Sequence, residues 1–473
     1  MNLKKNQNSL TRKSKNKDIQ LSEHFGYKKL LKFAYPSIAM MIFMSVYSII
    51  DGFFVSNFVG KTAFSAINFI FPFLMILGAV GLMFGTGGSA LVAKIMGEGD
   101  TEKANKVFSL IVYAAIILGV IIAAAGLIFL RPIAVLMGAE GELLKNCVIY
   151  GRIYLVALPF NVLQLMFQCL FATAEKPKLG LYITAASGIA NIILDTLFVA
   201  VLPWGLSGAA AATAISQVVG GIVPIIYFAQ KNSSKLRLTR CRFDGKVLFK
   251  TCTNGSSEFV TQISASIVGI LFNFQLMKYA GEDGIAAYGV LMYVGMIFQA
   301  VFFGYTLGSA PVISYHFGAE NKKELKSLRK KSLVIVCVFS LLMFIAGQLL
   351  SKPFSLLFVG YDKELLNITV KAFGIYSFSF LLSGISIFAS SFFTALNDGL
   401  TSALISFLRT IVFQCSMIVI FPLLWQLDGI WYSIVVAEVM AALVAVLFLI
   451  GKQKNTAINK KPPMQEAFCK FLN

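Results

Sequence analysis

Read along its length, the chain alternates between long runs of apolar residues and short polar tracts that are mostly basic. About 20 apolar residues cross a bilayer as a helix, because a rise of about 1.5 Å per residue must cover roughly 30 Å of hydrocarbon. Twelve runs reach that length: 33–57, 64–93, 107–130, 148–172, 179–203, 207–229, 255–277, 285–313, 332–351, 370–395, 400–424 and 430–450. The runs are continuous rather than alternating and exceed barrel-strand length, so they predict helices and exclude a β-barrel.

An even number of spans puts both termini on one side, and the basic residues test that arrangement. The side carrying the two tails and the loops after spans 2, 4, 6, 8 and 10 holds 32 of the 41 Lys and Arg residues. By the positive-inside rule that side is the cytoplasm. An error of one span would scramble the split, so the bias also supports the count. The expected organisation is a basic cytosolic tail at 1–32, a first lobe at 33–229, a cytosolic linker at 230–254, a second lobe at 255–450 and a cytosolic tail at 451–473. The first apolar run extends past signal-peptide length with no small-residue cleavage site before it, so it reads as a retained span.

Composition agrees with a membrane class. The 473 residues are 57% apolar and 13% charged, with 43 Phe and a mean hydropathy of +0.78. So few charges cannot cover a soluble surface of this size. The net charge of +19 does not indicate nucleic acid, because the basic residues lie between apolar runs, where they specify topology. Seven cysteines without a C-x-x-C pair give no disulfide framework or zinc site.

The chain also repeats itself. Sliding the sequence along itself until Gly60 meets Gly281 also brings Ala66 onto Ala287, Gly97 onto Gly318 and Gly208 onto Gly429. The same shift sets Phe171-Ala172-Thr173-Ala174 against Phe392-Phe393-Thr394-Ala395. Six spans per repeat is an even number, so both halves cross the membrane in the same sense. The predicted fold is an all-α polytopic membrane protein: twelve transmembrane helices in two six-helix lobes, related by a pseudo-two-fold axis along the membrane normal. Such parallel repeats suit a transporter working by alternating access.

Two strings imitate catalytic motifs. Gly85-Thr86-Gly87-Gly88-Ser89-Ala90 resembles a dinucleotide loop, but it lies inside an apolar helix, where small residues serve close packing. Gly97-Glu98-Gly99-Asp100 resembles an intramembrane aspartyl protease string. Here it falls in a loop, where Gly97 ends a helix and Asp100 caps the next. The two histidines, His24 and His316, lie outside the twelve runs, and no Walker loop occurs. The chain is therefore expected to be no enzyme, to use no cofactor and to bind no ATP. Its partners are the bilayer and a small-molecule cargo, and transport is driven by an ion gradient.

A charge at mid-bilayer costs roughly 2.5–3.5 kcal/mol on insertion scales, so each one asks for a reason. The candidates are Asp51, Asp195, Glu258, Arg409 and Glu438. Asn191 precedes Asp195 by one turn and Tyr47 precedes Asp51 by one turn, so each pair shares a helix face. A carboxylate with an amide oxygen and hydroxyls can coordinate Na⁺; a desolvated carboxylate can instead carry a proton. The repeat shift turns Asn191 and Asp195 into Val412 and Ser416 and Asp51 into Phe272, so this acidic set belongs to the first lobe alone. Glu258, one turn into its apolar run behind Ser256-Ser257, reads as helix-start chemistry. Arg409 is either a counter-ion for a carboxylate or an interfacial residue, and Glu438 either lines a cavity or packs; the three are retained as candidates for a substrate cavity. Pro36 lies about four turns before Asp51 on the same span and is expected to act as a hinge, since proline removes a backbone hydrogen bond.

Together, Pro36, Asp51-Gly52-Phe53-Phe54-Val55, Gly60, Gly88-Ser89-Ala90, Gly97-Glu98-Gly99-Asp100 and Asn191-x-x-x-Asp195 resemble the multidrug and toxic compound extrusion (MATE) family over residues 30 to 450, in its MepA/DinF-like branch. The resemblance implies two six-helix lobes that export cationic amphipathic compounds in exchange for H⁺ or Na⁺ across the plasma membrane. It implies a first-lobe cation site at Asp51, Asn191, Asp195 and Thr213, supported by Tyr47 and by the bend at Pro36. Another branch of the family uses a glutamate deep in span 7, where this chain has Ser264. Two other functions compete: a flippase for lipid-linked saccharides or another polyprenyl-linked precursor, and a non-transporting membrane scaffold. A flippase should need several Arg or Lys within the spans for phosphate, and the spans offer only Arg152, Arg409 and edge residues.

Overall fold

The computed structural model describes residues 19–360 and 362–458. Residues 1–18 and 459–473 of the two expected cytosolic tails lie outside the described residues. Among the described residues the regular structure is helical throughout, and eleven helices are long and apolar enough to cross a membrane. In chain order these are α1 (Tyr27–Val59), α2 (Thr62–Gly97), α3 (Thr101–Leu136), α4 (Gly141–Thr173), α5 (Pro177–Val201), α6 (Gly205–Ala229), α7 (Gly245–Gly281), α8 (Asp283–Gly318), α9 (Lys322–Val359) and α10 (Lys363–Ala395), followed by Gly399–Gly451. That last segment has 53 residues, or about 80 Å of helix against a hydrocarbon core of roughly 30 Å. It breaks at Trp425 (φ −128°, ψ 19°) and Gln426 (φ 48°, ψ −127°). The break divides it into α11 (399–424) and α12 (427–451), which makes twelve spans.

Side-chain caps start several of the helices. Asp100 Oδ1 accepts from the Lys103 amide at 2.9 Å and opens α3, as expected of the Gly-Glu-Gly-Asp string. The left-handed residue that ends α2 is Gly99 (φ 88°), while Gly97 remains helical. Asp244 caps α7 by accepting from the amides of Lys246 and Val247 at 3.0 and 3.2 Å. The helix therefore starts at Gly245, well before its apolar run opens.

The backbone carries the repeat more legibly than the side chains do. Positive φ occurs at Gly60 and Gly281 (109° and 60°), at Gly99 and Glu320 (88° and 52°), and at Gly205 and Gln426 (61° and 48°), three pairs that the repeat shift superimposes. The same turn is thus made twice even where the second copy lacks glycine, at the cost of a disfavoured left-handed backbone.

The chain packs as two compact units. The first comprises residues 19–266, 293–335 and 391–403. It holds α1–α6, the linker, and the parts of α7, α8 and α9 nearest the linker and the α8–α9 turn. Glycines make its helix contacts close. A Cβ on Gly87 would sit 2.1 Å from the Thr251 carbonyl oxygen, and one on Gly255 would sit 1.9 Å from that of Met83. The Gly85–Ala90 string is thus a packing surface, as expected. Of the described residues, the second unit comprises 267–292, 336–390 and 404–458. One of its apolar clusters joins Ala287 and Val290 to Val359 and Leu365.

Candidate functional site

Asp51, Asn191, Asp195 and Thr213 come together inside the first unit, on α1, α5 and α6. Close packing of α1 on α5 is what allows it. Gly188 has no side chain, and a Cβ there would lie 2.5 Å from Phe43 and 3.0 Å from Tyr47. Two turns beyond Gly188 the same pair of helices brings the Asp195 carboxyl against that of Asp51. Asp195 is 0% exposed and Asn191 is 2% exposed.

None of these groups is satisfied by the protein. Asp51 Oδ1, both carboxyl oxygens of Asp195, both polar atoms of the Asn191 amide and Thr213 Oγ1 are buried and make no hydrogen bond. Buried polar atoms are nearly always paired, so a cluster of six unpaired ones marks a place built for something else. The donors are two carboxylates, an amide oxygen and a hydroxyl. That set of hard oxygen ligands suits a small monovalent cation, or a proton shared between the acids. Among the described residues no three His, Cys, Asp or Glu side chains form a metal-binding group.

Sequence reasoning missed the third wall of this pocket, on α4. The Tyr150 hydroxyl lies beside Thr213 and faces both carboxyls. Tyr154, stacked on Tyr150 with ring centroids 6.2 Å apart, accepts from Asn161 Nδ2 at 2.5 Å and lies beside Gln217. The available signal was the spacing of Tyr150, Tyr154 and Asn161, which puts hydroxyls and an amide along one helix face. Behind the pocket, Gln164 donates to Ser187 at 3.3 Å, Ser187 donates to the Ser216 carbonyl at 2.6 Å, and Ser216 donates to the Thr213 carbonyl at 2.8 Å. This chain of bonds ties α4, α5 and α6 and fixes the backbone that carries Thr213. Tyr47 lies close to Asp51 and Tyr154.

Both acidic helices change pitch just past their carboxylate. Val55–Val59 follows Asp51 and Thr196–Val201 follows Asp195, each as a π-helical segment. Such segments are uncommon and are frequent at functional sites, because the extra residue per turn re-aims side chains and loosens the backbone ladder.

The remaining candidates are placed elsewhere. Pro36 is buried in the first half of α1 and is not part of the pocket. Glu258 is half-buried and lies more than three turns inside α7, since that helix begins at Gly245. The helix-start explanation for Glu258 is therefore wrong: Asp244 performs the capping that Ser256-Ser257 were expected to provide. Ser264 donates to the Val260 carbonyl of its own helix at 2.5 Å. Arg409 and Glu438, both in the second unit, are paired: Nη2 reaches Oε1 at 2.8 Å, and Nε reaches Oε1 and Oε2 at 3.0 and 3.1 Å. In the structure Arg409 is thus the partner of Glu438.

Comparison with known proteins agrees with this architecture. The MatE family model matches the chain twice, at residues 36–197 and 259–420, well over half its length and once in each repeat. A protein named Multidrug export protein MepA from Staphylococcus saprophyticus is 27% identical over 440 residues, covering 92% of this chain and 96% of that one. Its namesake from Staphylococcus aureus (strain MRSA252) is 26% identical over 425 residues, covering 89% and 93%. Among solved structures, a MATE protein in complex with MaL6 superimposes with a TM-score of 0.88 at 24% identity, covering 94% of this chain and 100% of that one. A MOP superfamily transporter from Pyrococcus furiosus, described as having a binding pocket of reversed polarity, gives 0.87 at 24% identity over 94% and 99%. With the fold, the twofold match and the full-length relatives in agreement, this chain belongs to the MatE family of membrane transporters.

Proposed function

We propose that the chain is a cation-coupled antiporter that exports cationic amphipathic compounds, with H⁺ or Na⁺ as the exchanged ion. One observation carries the reading: Asp51 and Asp195 face each other in a buried pocket with carboxyl oxygens that the protein leaves unpartnered. Two carboxylates so placed cannot both stay ionised without a cation. Binding H⁺ or Na⁺ relieves the repulsion and favours one arrangement of α1, α5 and α6. A cationic cargo bound elsewhere favours the other, and exchange follows from the difference in affinity between the two. The π-helical segments beside both acids offer backbone that can rearrange with the ion.

The relatives named as multidrug export proteins support a small-molecule cargo. The four-to-one bias of basic residues supports a plasma-membrane protein with both termini in the cytoplasm. A flippase for phosphate-linked saccharides is disfavoured by what the intramembrane cations do: Arg409 is tied to Glu438, and Arg152 is exposed on α4. A scaffold is disfavoured because unpartnered carboxylates in the bilayer destabilise without compensation.

Reconstitution separates the three. Proteoliposomes loaded with a cationic dye should move it when an H⁺ or Na⁺ gradient is imposed, and stop when the gradient is collapsed. Dye movement indifferent to any ion gradient would refute coupling, and no movement at all would refute transport of this cargo.

A further inference from the structure

The first-lobe site explains Asp51 and Asp195 but not the other charges that the chain carries into the membrane. Arg409 and Glu438 form a bidentate ion pair with side chains 12% and 3% exposed. Gln414 Nε2 approaches the same carboxylate at 3.4 Å, and the half-buried Tyr376 faces both charges. Replacing such a pair by apolar residues is often neutral or stabilising, so packing alone gives little reason to keep it.

The repeat supplies an internal control. The first-lobe counterparts of Arg409 and Glu438 are Gly188 and Gln217. The first lobe thus builds this layer of its fifth and sixth spans without any ion, closing it with Gly188 on Phe43 and Tyr47. The fold does not need the pair there. Conversely, the first-lobe acceptors Asn191, Asp195 and Thr213 correspond to Val412, Ser416 and Ile434. By the repeat shift Glu438 lies one turn from the Thr213 position, and there the second lobe has one buried carboxylate, with its cation attached to the chain.

Backbone geometry gives independent support. Among the described residues there are three π-helical segments, and each adjoins or contains an intramembrane charge. Two follow Asp51 and Asp195; the third, Leu408–Gln414, contains both Arg409 and Gln414. The same local device therefore presents the charges of both lobes.

We infer that Glu438 is the cation site of the second lobe and that the Arg409 guanidinium is its permanent occupant. Arginine stays protonated, and its attachment to α11 prevents release to either side of the membrane. The second lobe would then hold a filled site throughout the cycle, and ion exchange would be confined to the first lobe. Removing the guanidinium should convert Glu438 into a second site for a small monovalent cation. This inference rests on the first-lobe reading above, and the test below reports on the two separately.

The experiment measures cations bound per molecule of purified full-length protein, as ²²Na⁺ bound at equilibrium plus protons taken up from weakly buffered solution. Arg409→Met should bind one more cation per molecule than the parent. The gain should vanish in Arg409→Met/Glu438→Met and be absent from Arg409→Lys, which keeps the charge. In Arg409→Met/Asp195→Asn the second-lobe cation should remain while the first-lobe one is lost. A folded Arg409→Met protein with parental capacity overturns the inference. If Arg409→Met does not fold, Arg409→Gln makes the same comparison, and a folded Arg409→Gln protein with parental capacity overturns the inference. Asp195→Asn alone leaving capacity unchanged would instead refute the first-lobe reading.

Discussion

Gly97 and Gly318, equivalent positions of the two repeats, make the same contact with each other's helix. A Cβ on Gly97 would lie 2.0 Å from the Tyr315 carbonyl oxygen, and one on Gly318 would lie 1.9 Å from the Lys94 carbonyl oxygen. Lys94 and Tyr315 are themselves equivalent in the repeat, so the contact is self-complementary about the pseudo-two-fold axis. Gly87 against Gly255 and Gly308 against Ala34 repeat the pattern. Glycine at these positions lets α2 meet α8 and α7, and α8 meet α1, backbone to backbone. Under the proposed topology this seam lies at the cytoplasmic end.

Adding one methyl group to either glycine should hold the seam apart. Overpacking of this kind costs about 1–3 kcal/mol, so Gly97→Ala and Gly318→Ala should each lower the melting temperature and slow dye efflux. Because the contact is reciprocal, the two should act alike. Thermal unfolding and efflux rates of both variants check this; an effect from one position only would show that the seam is not shared.

The segment before α1 is strapped across the first unit by two carboxylates, Glu175, which accepts from the Leu21 amide at 2.9 Å, and Glu324. Glu324 accepts from the Phe25 amide at 3.0 Å and contacts His24 Nδ1 at 2.7 Å, while Lys331 donates to the Phe25 carbonyl at 2.6 Å. Leu21 and Phe25 are fully buried beneath it. Glu324→Ala should loosen the strap, and hydrogen exchange at the Phe25 amide should rise roughly tenfold or more, as expected for losing a hydrogen bond to a charged group, while the Leu21 amide stays held by Glu175. His24→Ala should do much less, because its side chain is 72% exposed and exposed pairs contribute little.

Tyr150 should tune ion affinity rather than folding. Its hydroxyl faces the two carboxyls from α4. Tyr150→Phe removes about 1 kcal/mol of polar interaction and should raise the half-saturating H⁺ or Na⁺ concentration for efflux roughly fivefold. The dependence of efflux rate on the driving ion, taken with an unfolding curve, separates this from damage to the core.

Pro36 should matter for rate. It is buried in α1 next to Ser37, which packs with Ile38 against Gly304. Pro36→Ala restores the missing backbone hydrogen bond and stiffens the helix. Expression should be retained while dye efflux slows; unchanged efflux kinetics would show that the proline is only accommodated.

Much of the fold is legible in the sequence alone, because apolar run length and basic-residue bias act span by span and do not depend on tertiary detail. Asp51, Asn191 and Asp195 stand out for the same local reason: charge and amide in an apolar helix. What stays hidden depends on neighbours. Tyr150 and Tyr154 are ordinary residues in an apolar run until α4 turns them toward Thr213 and Gln217. Gln426 carries no breaker signal, yet it makes the turn that Gly205 makes in the first repeat. Glu258 is misleading in sequence because Asp244, well outside the apolar run, starts the helix early. Arg409 and Glu438 are 29 residues apart, and only the packing of α11 on α12 makes them partners.

The most direct test of ion coupling through the first lobe is Asp195→Asn, which removes the charge at nearly constant shape. In proteoliposomes with an imposed H⁺ or Na⁺ gradient, gradient-driven dye efflux should fall to background while equilibrium dye binding to the same purified protein persists. Asp51→Asn should impair efflux in the same way. Ion-driven efflux at parental rates in both variants would contradict coupling through this pair and place the coupling site elsewhere in the chain.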